Sequence, residues 1–182
     1  MVTLKKFSNV FLAGILATTT AMADAATREE MQQIDAAYPP GSVVVCRSDI
    51  PGDGKFSYPT TMLTRGKVIS AGQGRVTYDV SITWHTKNTP ARADTDLTLT
   101  FRMQQRSDEK GQYTLIDTDS MAVSMPAAGA AGEAVTLDGF RRRFGGKENF
   151  TPYSQFEITR FPAYITHNPG EAPLYCHKET EM

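Results

Sequence analysis

The chain has 182 residues, with 19 lysines and arginines against 20 aspartates and glutamates, and its formal net charge at pH 7 is −1. This charge balance gives no general attraction to nucleic acid, so we expect no nucleic-acid partner. The length is that of one ordinary domain that buries its own hydrophobic core.

Residues 1–25 have the features of a cleaved signal peptide. Lys5 and Lys6 precede an apolar run from Phe7 to Leu16, and small residues at 21–25 offer cleavage sites. The apolar run is about half of the roughly 20 residues that a membrane-spanning helix needs. We therefore expect a periplasmic or secreted protein, a single exported β-rich domain over residues 26–182, and no stable membrane insertion after the leader is removed.

The chain contains two cysteines, Cys46 and Cys176. Since exported proteins reach an oxidising compartment, these two residues are predicted to form a disulfide bond. The bond would place the strand that carries Cys46 beside the last ordered segment of the chain. A pair of free thiols and an intermolecular bridge remain alternatives.

The first element after the leader is predicted to be a short helix. Thr27 and Glu30 have the spacing of a capping box. Apolar residues then recur at helical spacing at Met31, Ile34 and Tyr38. Prolines at 39 and 40, followed by Gly41, are expected to end the helix.

The next hundred residues alternate between apolar and polar side chains, which is typical of half-buried antiparallel strands. The clearest run is 76–85, in which every second residue from Val76 to Trp84 is apolar. Further strands are predicted at 43–46, at 62–71 with an interruption near Arg65, and at 97–104 and 112–125. The last two are expected to pair as a hairpin.

The C-terminal third has weaker patterns. The small-residue stretch 126–134 is predicted to be a mobile loop, and 135–144 fits a short helix or an irregular segment equally well. One more strand is expected within 154–165, where Pro162 restricts it to an edge or a bulge. The fold class is therefore mainly β: an antiparallel β-sandwich or partly closed barrel of about six strands, with one short N-terminal helix packed on it.

The sequence carries no phosphate-binding glycine loop, zinc-binding helix motif or serine elbow, so we predict a protein that is not an enzyme and needs no cofactor. The sequence offers two possible metal sites, and neither matches an established pattern. The first combines His167, His177 and the two cysteines, and its spacing matches no compact zinc pattern. The second is calcium at the paired aspartates 94/96 or 117/119, which lack the rest of a calcium loop.

The favoured functional hypothesis is a non-catalytic binding domain of the inhibitor, immunity or envelope-accessory type. Aromatic and arginine residues are enriched at protein interfaces, and they occur together near the C-terminal end of the chain. The predicted contact residues for a protein or envelope partner are Arg141, Arg142, Arg143, Phe144 and Tyr153.

Two alternative functions remain open. In the first, the β-domain carries a small apolar ligand among large inward side chains; these are Leu97, Leu99, Phe101, Met103, Met121 and Met125. In the second, the protein is a hydrolase whose site is assembled across strands from His85 and an acid. Ser81 and Asp79 share a strand face with His85, but Ser81 lies about 13 Å away along an extended strand, so the three residues form no triad.

Overall fold

The computed structural model describes residues 25–52, 58–87 and 94–179. Nearly all of the predicted signal peptide, residues 1–24, lies outside the described residues. The helices are α1 (Arg28–Ala36) and α2 (Gly129–Phe144), with a 3-10 turn at Tyr153–Gln155. The strands are β1 (Val43–Ile50), β2 (Thr60–Gly72), β3 (Arg75–Thr86), β4 (Thr95–Ser107), β5 (Gly111–Ser124), β6 (Glu148–Pro152), β7 (Phe156–Arg160), β8 (Ala163–Thr166) and β9 (Leu174–Lys178).

The nine strands form one antiparallel sheet in the order β6-β5-β4-β3-β2-β1-β9-β8-β7. The sheet curls into a half-barrel. The predicted β-rich antiparallel class is confirmed, and of the two predicted architectures the partly closed barrel is the nearer description. The predicted six strands and one helix were approximate, because five-residue strands such as β6 and β9 carry too few alternations to stand out in the sequence.

The inner face of the sheet carries the core. Alternate residues of the central strands, among them Tyr78, Val80, Leu99 and Phe101, are buried on this face. Met31, Ile34 and Tyr38 of α1 pack on the same cluster. The predicted helix and its apolar stripe are thus confirmed, and α1 covers part of the concave side of the sheet.

Local chemistry sets both ends of α1. The Thr27 hydroxyl accepts a hydrogen bond from the Glu30 amide at 3.2 Å, and the Glu30 carboxylate accepts one from the Thr27 amide at 2.8 Å. This is the predicted capping box. After the helix, Gly41 has φ +93°, a conformation that glycine adopts without strain.

The two edge strands of the sheet are consecutive in the chain. Only the turn Tyr153–Gln155 separates the end of β6 from the start of β7, so at this corner the sheet edges lie within about 14 Å of each other. Tyr153 and Phe156 are buried there. The Ala26 amide donates to the Phe156 carbonyl at 2.8 Å, which places the chain before α1 along the β7 edge.

The predicted disulfide is present. Cys46 of β1 and Cys176 of β9 are cross-strand partners with their Cα atoms 4.0 Å apart. The predicted adjacency of the Cys46 strand and the last ordered segment is therefore confirmed. The bond ties the first strand of the chain to the last.

Three local predictions differ from the structure. Most of the stretch predicted as a loop at 126–134 belongs to α2, which begins at Gly129, because alanine is a strong helix former without any apolar stripe. β2 runs unbroken through Arg65, and its irregularity lies at Val68–Ser70 instead. Within 154–165 one strand was predicted, whereas the structure has two, β7 and β8, with Pro162 in the turn between them after a cis peptide bond with Phe161. β7 is at the edge of the sheet, as the proline predicted.

Candidate functional site

A cavity of about 390 Å³ opens at one end of the half-barrel, where β1 and β3 end and β2 and β4 begin. We call it the mouth cavity. It is lined by Ile50, Tyr58, Thr60, Trp84, Thr86, Thr95, Asp96, Leu97 and Met125. Among the described residues, those that line it belong to strands and connecting segments, and none belongs to a helix.

Trp84 and Leu97 are the central side chains of the mouth cavity. They are cross-strand partners on the inner face of β3 and β4, because the alternation that buries Val80 and Leu99 continues to the end of each strand. The Trp84 ring stacks on Phe140 of α2 at a centroid distance of 5.9 Å, and Phe140 stacks on Phe144 at 6.1 Å. α2 therefore holds the orientation of the tryptophan.

The rim of the mouth cavity is polar and acidic. The hydroxyls of Thr60 and Thr86 lie 3.1 Å apart. The Asp96 carboxylate lies 2.6 Å from Nδ1 of His85, and the Asp94 carboxylate lies 3.6 Å from Nε2 of the same ring. The site thus combines an apolar interior with one lining carboxylate, Asp96, and a second carboxylate, Asp94, on the far side of His85.

The structure brings His85 to acids, as the hydrolase hypothesis requires, but in a different arrangement from a triad. Each ring nitrogen of His85 faces a carboxylate, whereas a catalytic base needs one nitrogen turned to the nucleophile. Thr61, the cross-strand neighbour of His85, donates its hydroxyl hydrogen to Asp49 at 2.9 Å. The arrangement suits a histidine clamped between acids better than a general base.

The side chains predicted to line an apolar cavity divide into two groups. Leu99, Phe101 and Met121 are buried in the core, against which the half-buried Met103 packs. Leu97 and Met125 line the mouth cavity. Ile50 and Tyr58 were missed because they stand at strand ends, where alternation gives no signal, and Trp84 was assigned only to the core face.

The predicted partner-binding residues lie in different environments. Arg141, Arg142 and Arg143 are exposed in the last turn of α2, where cations are favoured by the helix dipole. Phe144 is half-buried in the aromatic stack. Tyr153 is 8% exposed, and its hydroxyl donates to the Asp108 carbonyl at 2.7 Å.

Each of these three arginines has a local contact. Arg142 pairs with Asp138 one turn earlier. Nε of Arg141 donates to the Thr118 carbonyl at 3.2 Å, and the Arg143 guanidinium lies 6.0 Å from the Phe144 ring centroid. A partner at this surface stays a prediction.

Three of the four residues of the possible zinc site, Cys46, Cys176 and His167, have other contacts. Cys46 and Cys176 are consumed by the disulfide, and Nε2 of His167 lies 2.9 Å from the Glu157 carboxylate. Within 25–52, 58–87 and 94–179, no group of three or more His, Cys, Asp or Glu side chains is placed to hold a metal ion. No helix in the same ranges is long and apolar enough to cross a membrane.

Comparison with known proteins yields no match to this chain among family models, curated proteins or solved structures.

Proposed function

We propose that this chain is an exported binding protein that holds a small apolar molecule in the mouth cavity. The observation that carries the proposal is the placement of three large apolar side chains, Trp84, Leu97 and Met125, around one cavity at the end of the half-barrel. A volume of about 390 Å³ lies within the range of small-molecule sites, which are concave and mostly apolar. Of the hypotheses drawn from the sequence, this proposal follows the alternative in which the β-domain carries a small apolar ligand. It replaces the favoured hypothesis of a domain that binds a protein partner.

Burial of apolar surface supplies the affinity. A ligand that loses about 200 Å² of apolar surface to the cavity gains roughly 5 kcal/mol before the entropic cost of association is subtracted. The aromatic rings add to this, since Trp84 already stacks on Phe140 and keeps a fixed orientation. We expect weak to moderate affinity, of the kind that allows release as well as capture.

The rim selects the polar end of the ligand. Asp96 lines the cavity, and Asp94 lies on the other side of His85 from it. A carboxylate head group would meet these acids, whereas a hydroxyl or a cation would find acceptors. A cation near Trp84 is also attracted by the face of the indole ring. The proposed ligand therefore has an apolar body and a neutral or cationic head.

Two features support export. The disulfide is of the type that persists in oxidising compartments, and the first 25 residues have the pattern of a signal peptide. We propose a periplasmic or secreted location on these grounds.

The test uses the single tryptophan of the chain, Trp84, as its reporter. Three ligands with the same ten-carbon chain are titrated below their aggregation limits: decyltrimethylammonium, decan-1-ol and decanoate. The expected result is a saturable change in Trp84 emission with the first two ligands and at least about tenfold weaker binding of decanoate, equivalent to roughly 1.4 kcal/mol.

Leu97→Lys places a cation and a longer side chain inside the cavity and should abolish binding. The matched control is Leu63→Lys, because Leu63 is a 39% exposed leucine on the opposite face of the sheet. Absence of a saturable signal with all three ligands, or equal binding by the two variants, would contradict the proposal.

A further inference from the structure

A second cavity, of about 340 Å³, lies at the opposite end of β3, between α1 and the β2–β3 hairpin. We call it the α1 pocket. It is lined on one side by Arg28, Gln32, Asp35 and Ala36 of α1, and on the other by residues of β2, β3, β4 and the hairpin turn. The charged members of the lining are Arg28, Asp35 and Arg75.

The hairpin turn leaves this cavity open. Gln73 and Gly74 have φ of +52° and +72°, the sign pattern of a tight two-residue hairpin turn. A Cβ atom added at Gly72 or Gly74 would meet nothing within 4 Å. The hairpin turn therefore places no side chain across this side of the pocket, and a small molecule can enter from solvent.

Arg28, which lines this pocket, also has an unsatisfied polar atom. Its Nε is the one buried side-chain nitrogen or oxygen without a hydrogen-bond partner in the part of the chain that the structure describes. Neither Arg28 nor Arg75 forms an ion pair with any described acid. Arg28 is also the first residue of α1, where the helix dipole disfavours a cation, so its position gains nothing from the helix.

Asp35 is the matching anion. Its carboxylate is half-buried, and among the described residues it receives one long hydrogen bond, 3.4 Å from the Gln105 amide. Burial raises the pKa of Asp35 to about 6. Arg28 and Asp35 are seven residues apart on one helix, about 10 Å along its axis, so the gap between them is large enough for a ligand.

We propose that the α1 pocket binds a small zwitterion, an α-amino acid with a small apolar side chain. Its carboxylate would accept hydrogen bonds from the guanidinium groups of Arg28 and Arg75, and its ammonium would donate to Asp35. Guanidinium groups match carboxylates geometrically through paired N–H donors. This binding function is independent of the mouth cavity.

The remaining lining fits the same ligand. Ala36, Ala71 and Val76 provide an apolar contact for the side chain, and the amides of Gln32 and Gln105 offer both donors and acceptors. A simple anion would leave Asp35 facing a like charge, and a simple amine would leave two guanidinium groups unmatched. A zwitterion satisfies both signs.

The test is equilibrium dialysis of the disulfide-intact protein at pH 7.5 against a mixture of alanine, valine and leucine, read by amino-acid analysis. Retention of at least one of the three supports the proposal, and retention of none overturns it. Calorimetry then compares valine with isovalerate, which lacks the ammonium, and with isobutylamine, which lacks the carboxylate. Both analogues should bind at least about tenfold more weakly than valine; equal binding of isovalerate would mean a plain anion site and would overturn the zwitterion.

Two variants place the ligand in this pocket. Arg28→Gln and Asp35→Asn should each weaken binding of the retained amino acid at least about tenfold while circular dichroism shows native folding. The matched control is Arg160→Gln, an exposed arginine of β7 that lines no cavity described above. Unchanged affinity in both pocket variants would overturn the assignment, and decyl-ligand binding at Trp84 should be unaffected in all three.

Discussion

Asp35 is a carboxyl group whose burial opposes its ionisation. The pKa is raised from 3.8 to about 6 by desolvation, and the hydrogen bond from Gln105 only partly compensates. Since the folded protein holds this proton more tightly than the unfolded chain, the contribution of Asp35 to stability is greatest below pH 4. That contribution is lost as the pH rises to about 6.

Several charged or titratable groups lie near Asp35, but none of those described forms an ion pair with it. They are Arg28 on the same helix, Arg75 across the α1 pocket, and the hydroxyls of Tyr38, Tyr78, Tyr153 and Tyr164. Burial also raises the pKa of Tyr38 to about 12, so this hydroxyl stays neutral at physiological pH. Asp35 is therefore the member of the group expected to titrate between pH 4 and 7.

We predict that Asp35→Asn makes the ligand-free protein more stable at pH 7 by about 1 to 2 kcal/mol, a value discounted for the partial exposure of the carboxyl group. It should also flatten the dependence of stability on pH between 4 and 6. Urea unfolding at several pH values measures both effects. Asp119→Asn, at an exposed position on β5, is the control and should change neither; a loss of stability in Asp35→Asn at pH 7 would contradict the prediction.

At the scale of elements, α1 depends on its first turn. The capping box satisfies two amides that would otherwise have no partner, and the nine-residue helix is too short to form without such caps and tertiary packing. The apolar face of α1 is held by the core residues of the inner sheet face. The cap and the packing together fix the position of Arg28 and Asp35.

Thr27→Ala should lower the free energy of unfolding by about 1 kcal/mol, the usual cost of losing an N-cap side chain. Glu30→Gln removes the charge but retains the shape of the side chain. We therefore expect it to lower the free energy of unfolding by less than Thr27→Ala does. The double variant tests the reciprocal geometry, since the two effects should be less than additive in urea unfolding. Strict additivity would mean that the two side chains cap the helix independently.

The sequence was informative where side chains alternate or repeat at helical spacing and less so elsewhere. The run from Val76 to Trp84 predicted β3 correctly, and Met31, Ile34 and Tyr38 predicted the buried face of α1. For α2, the sequence allowed a helix only over 135–144 and predicted a loop before it. The first turn of the helix is built from glycine and alanine and therefore offers no periodic apolar signal. Tertiary contacts with β5 and the Phe140–Trp84 stack support that helix.

At the scale of the whole molecule, the predicted disulfide is confirmed. It could be predicted because a chain with two cysteines allows only one intramolecular pairing. The two cavities were beyond sequence reasoning, since each is assembled from several elements. Arg28, Arg75 and Gln105 lie on α1, β3 and β4, and they meet only because the half-barrel brings the end of the β2–β3 hairpin under α1. The lining of the mouth cavity likewise includes residues from four strands.

Replacing both Cys46 and Cys176 with alanine should lower the free energy of unfolding by about 3 to 5 kcal/mol, because the bond closes a very long loop in the unfolded chain. The sequence separation of the two cysteines is 130 residues. Urea unfolding of the variant and of the reduced native protein should agree. A loss below about 1 kcal/mol in both would mean that the unfolded chain keeps these two segments together without the bond.

The pairing of β1 with β9 also decides how the molecule responds to mechanical force. The two strands are antiparallel, and the Glu179 amide donates to the Val43 carbonyl, so the start of β1 and the end of β9 lie side by side. Force applied to the segments that flank β1 and β9 would therefore break the hydrogen bonds of this pair one after another. Separation would stop at the Cys46–Cys176 bond. Beyond that covalent link the segment between the cysteines, whose sequence separation is 130, bears no tension. About 470 Å of extended chain length therefore stays folded under load until a reductant breaks the bond. Every residue that lines the mouth cavity lies within this protected segment, so we expect a ligand there to be insensitive to tension along the chain. The α1 pocket differs, because Arg28, Gln32, Asp35 and Ala36 precede Cys46 and α1 would bear the load.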